Sequence, residues 1–398
     1  PDSSDEVSAP PAPSRRPSIL VVVLAGLAAL VTFGIAAEDR REVPNEIVPR
    51  PFAAPAGPWL GTTLEGAGTF TDLVEWRGAL IGVGSGLRVD SVPFAWRSED
   101  GTQWSPSTGT WEPGDLITGV EQHGSGLIAV GYRLVDPFDG PGTAAIPRVW
   151  RSDDGDGWAP IETNGLPASA VITDFAHLDG LLVAAGWDGP AVLEPLAPPP
   201  EAAAARVWTS RNGVDWADAT PENATWIVDV RATDDDVVLS GSHNGQASVW
   251  RGMESFELSS NQDPTFDGYA AVASTDTAEG TLVIVRLIRD VEGITSLWKV
   301  DDDEWTRIEV EGRPDSAGWL RAIDGDLFGG PGFTRSIYPG GPEMWVSDDG
   351  EEWIGVEVTG GPSPWPPSIV TTMTEYGGDL LALGSRGGQP TIWRLTER

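Results

Sequence analysis

Seven tryptophans, Trp96, Trp150, Trp208, Trp250, Trp298, Trp345 and Trp393, sit in segments of similar form that follow one another at intervals of 54, 58, 42, 48, 47 and 48 residues. Tandem units of this length suit blades of four short strands and are too long for leucine-rich or helical-hairpin repeats. Each unit reads in one order: a short strand, a glycine turn, a buried apolar run, a loop of variable length, the Trp strand, a tight turn and a last strand. Examples are residues 171–176 for the first strand and 181–186 for the apolar run, and, from the unit before, the segment around Trp150 and residues 158–162 for the Trp strand and the last strand. After residue 57 no apolar residues recur at helical spacing over a long window, so the region is all β. The fold this predicts is a seven-bladed β-propeller over residues 58–398.

The turn before the last strand has the form Ser-x-Asp-Gly-x-x-Trp in three units: Ser98, Asp100, Gly101 and Trp104; Ser152, Asp154, Gly155 and Trp158; Ser347, Asp349, Gly350 and Trp353. A fourth copy, Ser210, Asn212, Gly213 and Trp216, carries Asn for Asp. A short carboxylate or amide accepts from the N–H groups of the turn, and Gly supplies the positive φ that closes it. These residues are therefore expected to staple their blades, with the Trp ring packed between sheets.

This pattern resembles the Asp-box repeats of sialidase-like β-propellers, whose usual form is Ser/Thr-x-Asp-x-Gly-x-x-Trp/Phe; the turns here are one residue shorter. The resemblance covers about 340 residues as architecture. It implies boxes on the face opposite that family's active site. It also implies, for sialidase chemistry, an arginine cluster, a Tyr nucleophile paired with Glu, and an acid/base Asp. The Arg-Ile-Pro motif of that family is missing.

Two charge facts bound the partners. The formal charge of −35 argues against nucleic acid or anionic lipid. The absence of cysteine removes disulfides, thiolate metal sites and a lipoprotein anchor. Lys299 is the single lysine, a hint of GC-rich, bacterial coding.

Residues 1–17 are Pro/Ser-rich and read as a disordered cytoplasmic tail. Residues 18–37 hold no charge and, as a helix of about 30 Å, would cross a bilayer once. Arg15 and Arg16 favour a cytoplasmic N-terminus. A cleaved signal peptide, giving a secreted protein, is the alternative. Residues 38–57 form a Pro-rich linker. Next, Trp59-Leu60-Gly61 matches the last-strand pattern before any first strand has appeared, while the final unit stops after Trp393. Residues 58–64 should therefore complete the seventh blade and leave no open sheet edge.

The connections expected on the upper face, between second and third strands, carry the long insertions 133–147, 187–206 and 330–342. Long loops on a rigid scaffold are where ligands bind. Trp111, Trp226, Tyr269, Trp319 and Trp365 recur where one blade hands over to the next; they either form a rim of flat faces for a sugar or protein ligand, or wedge between blades as core. Arg231 and Arg321 lie on inner strands, as do Asp174, Asp229 and Tyr269, and these five are the plausible channel residues. The acidic runs Asp153–Asp156, Asp234–Asp236 and Asp301–Asp303 lack EF-hand spacing and read as solvated turns. His123, His177 and His243 fall in three units and are not expected to converge on a metal. No cofactor and no metal site is expected. The reading is a monomeric, membrane-anchored, extracytoplasmic propeller that binds a protein or carbohydrate on its upper face. A sialidase-like glycoside hydrolase is the alternative, and a structural cell-envelope protein the third.

Overall fold

The computed structural model describes residues 59–395 apart from 87–91, 136–143, 192–202, 262–267, 288–294, 302, 311–317, 331–343, 357 and 359–367. The expected tail, apolar segment and linker, Trp365 and most of the three long insertions lie outside the described residues. Among the described residues no helix is long and apolar enough to cross a membrane.

Among the described residues twenty-nine strands form seven sheets. Blade 1 holds β2 (Thr69–Trp76), β3 (Ala79–Ser85), β4 (Phe94–Ser98) and β5 (Trp104–Pro106). Blade 2 holds β7 (Asp115–His123), β8 (Gly126–Val135), β9 (Ala144–Ser152) and β10 (Gly157–Ile161), with β6 (Thr108–Gly109) added outside. Blade 3 holds β11 (Ala170–Leu178), β12 (Leu181–Asp188), β13 (Ala204–Ser210) and β14 (Ala217–Asp218). Blade 4 holds β15 (Ala224–Ala232), β16 (Val237–His243), β17 (Gln246–Gly252) and β18 (Phe256–Ser260). Blade 5 holds β19 (Tyr269–Thr277), β20 (Gly280–Leu287), β21 (Thr295–Asp301) and β22 (Glu304–Ile308). Blade 6 holds β23 (Trp319–Ile323), β24 (Asp326–Gly330), β25 (Met344–Ser347) and β26 (Ile354–Val356). Blade 7 holds β27 (Ile369–Tyr376), β28 (Asp379–Arg386), β29 (Gln389–Leu395) and, as its outer strand, β1 (Leu60–Thr63).

The ring closes where Trp59-Leu60-Gly61 predicts. Leu60, Gly61, Thr62 and Thr63 pair antiparallel with Arg394, Trp393, Ile392 and Thr391. The side chains of β1 are all exposed, so its hold comes from the backbone ladder and from its flanks: Leu64 is buried beside Ile392, and its N–H donates to the Pro390 carbonyl at 2.8 Å.

The core lies in the seams between blades. One cluster joins Ile81, Val83 and Ala95 of blade 1 to Leu127, Trp150 and Trp158 of blade 2; the next joins Ile128 and Val130 to Leu182, Trp208 and Trp216. The second strands are apolar on both faces because each sheet is covered on both sides, as a sheet buried on two faces must be. Fully buried Trp150, Trp208, Trp250 and Trp393 supply the largest apolar areas, each worth several kcal/mol at about 25 cal/mol per Å².

The Ser-x-Asp-Gly hairpins are built alike. Asp154 Oδ1 accepts from the N–H groups of Asp156 and Gly157 at 2.9 and 2.8 Å, and Asn212 Oδ1 accepts from Val214 and Asp215 at 2.9 and 2.8 Å. Asp100 and Asp349 do the same. In three of the hairpins the Ser hydroxyl accepts from the Gly N–H, at 2.9 Å for Ser152 and Gly155; Ser98 accepts from the Asp100 N–H at 3.4 Å instead. Gly155 has φ of +74°, and a Cβ there would stand 2.8 Å from Ile81 of the preceding blade. The conformation demands glycine, whereas the contact is with the flexible end of Ile81, which can shift.

One strand lies outside the four-per-blade expectation. After leaving blade 1 the chain runs beside the outer strand of blade 2, where β6 pairs in parallel with Gly157 and Trp158. Asn164 repeats the device one blade later, bridging to Asp215 and donating from its side chain at 2.9 Å. Neither strap has a periodic apolar pattern, because each is held by outer-edge backbone hydrogen bonds rather than by burial.

Candidate functional site

The inner strands β2, β7, β11, β15, β19, β23 and β27 wall the channel. Six of them carry a one-residue bulge at matching depth, at Thr71, Thr118, Thr173, Val228, Val272 and Thr371. Where the bulge is threonine its hydroxyl ties strands together. Thr71 donates to the Ile117 carbonyl of the next blade at 3.0 Å, Thr118 to Ile172 at 3.1 Å, and Thr371 to Phe70 at 2.7 Å. A bulge re-aims the residue that follows it. Those residues are Asp72, Gly119, Asp174, Asp229, Ala273 and Thr372.

All three of these aspartates bridge blades. Asp72 accepts from Leu73 N–H and from Val120 N–H of blade 2, both at 2.8 Å. Asp174 accepts from Phe175 N–H at 2.9 Å and from Val230 N–H of blade 4 at 2.5 Å. Asp229 accepts from the Ser274 hydroxyl at 3.3 Å. Two residues further down each strand lies a second level, holding Val74, Glu121, Ala176, Arg231, Thr275, Arg321 and Thr374.

The second level opens into a cavity of about 620 Å³. Asp72, Glu121, Asp174, Asp276, Asp234 and Asp235 line it, together with Arg231 and Arg321. Asp234 and Asp235 belong to the turn between the first two strands of blade 4, so the cavity faces the lower end of the channel, the end bearing the Ser-x-Asp-Gly hairpins.

Burial dominates the electrostatics. It pushes Asp72 up to about 6 against the opposing Val120 and Leu73 N–H groups and the Arg321 charge. Glu121 is raised well above the usual range by burial and then by the Asp72 and Asp174 charges. Asp174 is raised likewise by burial and the Asp229 charge. Burial also raises Asp229, although Arg321 and Arg231 pull it down. Asp276 is the exception. Burial opposes its charge most strongly, but Arg231 with bonds of 3.0 and 2.9 Å, the Thr281 hydroxyl at 2.7 Å and Arg251 at 2.7 Å together outweigh it, and the carboxyl is held well below its ordinary value.

The sequence-derived residues divide sharply. Asp174, Arg231 and Arg321 line the cavity, and Asp229 sits at the level above. Asp72, Glu121, Thr275 and Asp276 belong with them and were not singled out. The signal for Asp72 was available, since Thr71-Asp72 repeats Thr173-Asp174. Tyr269 starts β19 at the upper end and packs beside the Trp298 cluster, away from the cavity. Tyr376 also closes an inner strand, at the lower rim, with its hydroxyl donating to Gly78 at 2.6 Å.

The handover aromatics are largely core. Trp226 is 4% exposed and Trp319 is 6% exposed, with Trp319 Nε1 donating to the Val370 carbonyl of blade 7 at 2.9 Å. Half-buried Trp111 meets Trp150 with ring centres 5.7 Å apart. An open rim of aromatic faces is not built by these residues, because the gap between neighbouring blades takes the rings. The histidines correct the expectation of separation in part. His123 and His177, on adjacent inner strands, meet edge to face at 5.6 Å, and burial lowers both. His243 lies apart, beside Asn244. Among the described residues no group of three or more His, Cys, Asp or Glu could hold a metal.

No protein-family model matches the chain, and no curated relative matches it by sequence. Solved structures share its shape. YCF48 bound to a D1 peptide is 16% identical with a TM-score of 0.56, covering 86% of this chain and 98% of its own. YjhT is 9% identical with a TM-score of 0.46, covering 73% and 98%. The Bombyx mori GH32 β-fructofuranosidase BmSUC1 is 12% identical with a TM-score of 0.35, covering 84% and 91%. At 16% identity the likeness to YCF48 speaks for the fold alone.

Proposed function

We propose that the protein is a binding module that grips a partner protein at the lower mouth of its channel. One observation carries this reading: the cavity there has two levels of charged side chains held by neighbouring blades, yet its groups are arranged for holding rather than turnover. Arg231 is committed to Asp276, which leaves Arg321 as the one other guanidinium lining the cavity. Tyr269 is at the far end of its strand. A sialidase-like site needs several arginines on one carboxylate and a Tyr nucleophile with its Glu, and this cavity gathers neither. YCF48, whose fold is similar, was solved with a peptide, which makes a peptide the natural first ligand class to test.

The Asp-box resemblance belongs to this reading as the origin of the scaffold, since the shortened hairpins keep that turn's chemistry. So does the placement. The uncharged run 18–37 would anchor the chain, with the propeller outside the cytoplasm; carbonate extraction and protease protection of membranes carrying the full chain test it.

The functional test uses a photocrosslinking residue at Ala322, beside the cavity, or at Glu222 on the upper face. Capture of one partner from Ala322 and not from Glu222 supports the reading. Capture from Glu222 alone, or turnover of a fluorogenic sialoside or glycoside by the full chain, overturns it.

A further inference from the structure

The lower cavity contains an imbalance that specifies what can enter it. Six carboxyl side chains line it against two guanidiniums. Arg231 is already bonded twice to Asp276 and once to Ser274, the latter at 3.0 Å. Arg321 uses Nη1 on the carbonyl of its own neighbour Leu320, at 2.9 Å, and forms no ion pair with any described carboxylate. Asp72 and Asp174 are oriented by backbone N–H groups, but N–H dipoles do not neutralise a buried charge.

A second observation is independent of the acids. Thr275, only 6% exposed, lines the same cavity at the level of Arg231 and Arg321, and its hydroxyl has no hydrogen-bond partner among the described residues. The hydroxyl is therefore open to whatever enters the cavity. It can accept an N–H from an entering group. Glu121, from the opposite side of the ring, is likewise not tied to a neighbouring blade.

Resting on the reading of this mouth as the binding site, we propose that it receives the cationic head of a side chain, a guanidinium or an alkylammonium, entering from the lower face between Glu121, Asp174 and Thr275. Such a head brings the missing positive charge and several N–H donors at once, which the carboxylates and the Thr275 hydroxyl accept. The net charge of −35 draws cations towards the molecule, and Asp234 and Asp235 at the lip repel anions.

A linkage follows. Without ligand Asp72, Glu121 and Asp174 hold protons above the usual range, Asp72 to about 6. A cation favours their ionised forms, so its binding releases protons and tightens as pH rises through that value.

Calorimetry on the full chain tests this with short acetylated, amidated Gly-rich peptides containing two arginines, two lysines or two glutamates, and with spermidine. The expected result is binding of both cationic peptides at least tenfold tighter at pH 7.5 than at pH 5, no binding of the acidic peptide, and heats that vary with buffer ionisation enthalpy. Spermidine binding as tightly as the peptides would assign the same chemistry to a free polyamine. Glu121→Gln should weaken the cations at least tenfold with an unchanged melting temperature. Arg321→Gln should tighten them severalfold, and serves if the first variant does not fold. Equal binding of the acidic peptide, or cation binding indifferent to both substitutions, overturns the proposal. If the Ala322 crosslink captures a partner while no probe shows a charge preference, this inference fails and the binding reading stands. If Ala322 captures nothing and no probe binds, both fail.

Discussion

The hairpins at the edge of the blades and the wall of the channel use the same residue in the same way and obtain opposite results. Asp154 accepts two backbone N–H bonds of 2.8 and 2.9 Å, and its carboxyl is held below its ordinary value by them. Asp72 accepts two of 2.8 Å, and its carboxyl is pushed up to about 6. The donors match in number and length, so they cannot be what separates the two. Water is. At the hairpin it keeps the charge cheap, and the N–H groups tip the balance downwards; in the channel, loss of hydration outweighs them. The lesson is that an identical local motif can be a staple in one place and a proton store in another.

The sign of each effect on stability can be worked out. A carboxyl lowered in the fold stabilises above its unfolded value and loses that contribution as pH falls through the folded value. A carboxyl raised in the fold stabilises below its unfolded value and loses that contribution as pH rises through the folded value. The hairpins therefore weaken on the acid side, below about pH 4, and the Asp72 contribution fades between about pH 4 and 6.

The comparison breaks first at Asp174. Asp174→Ala strands the buried N–H groups of Phe175 and Val230, and at pH 5 should cost roughly 4 kcal/mol in urea denaturation, at 1–3 kcal/mol for each group; a cost no larger than at a hairpin would show that channel water replaces the carboxyl. Next is Asp72→Asn, which keeps one acceptor and removes the titration. The fall in stability between pH 4 and pH 7 should shrink by on the order of 3 kcal/mol; an unchanged slope would mean that Asp72 is hydrated after all. Asp154→Ala should cost about 1 to 2 kcal/mol at pH 7, the exposed acceptor being replaceable by solvent. The smallest effect is expected for Asp154→Asn, within roughly 0.5 kcal/mol at pH 7, because Asn212 makes the same two bonds in blade 3; its stability should also stop falling below pH 4, and a large loss at neutral pH would show that charge, not shape, holds the hairpin.

The hairpins were legible because all their partners lie within three residues. Ser152, Asp154, Gly155 and Trp158 state the turn, its acceptor, its φ and its plug in one short string. The channel was legible only in outline. Asp174, Asp229, Arg231 and Arg321 could be assigned to inner strands from the order of units, but the bond from Arg231 to Asp276 crosses 45 residues. The meeting of His123 with His177 is equally non-local, as it depends on two turns being at the same depth in neighbouring blades.

By itself the sequence determined the number of blades, the hairpins that end their third strands, and the closure of the last sheet by residues from the start. These follow from local chemistry repeated at a near-constant interval. Only the tertiary structure decided which inner-strand residues face one another, that Trp226 and Trp319 fill seams, and that the charged cavity opens on the hairpin face. Those outcomes depend on bulge register and on the exclusion of water by neighbouring blades, and both are properties of the closed ring.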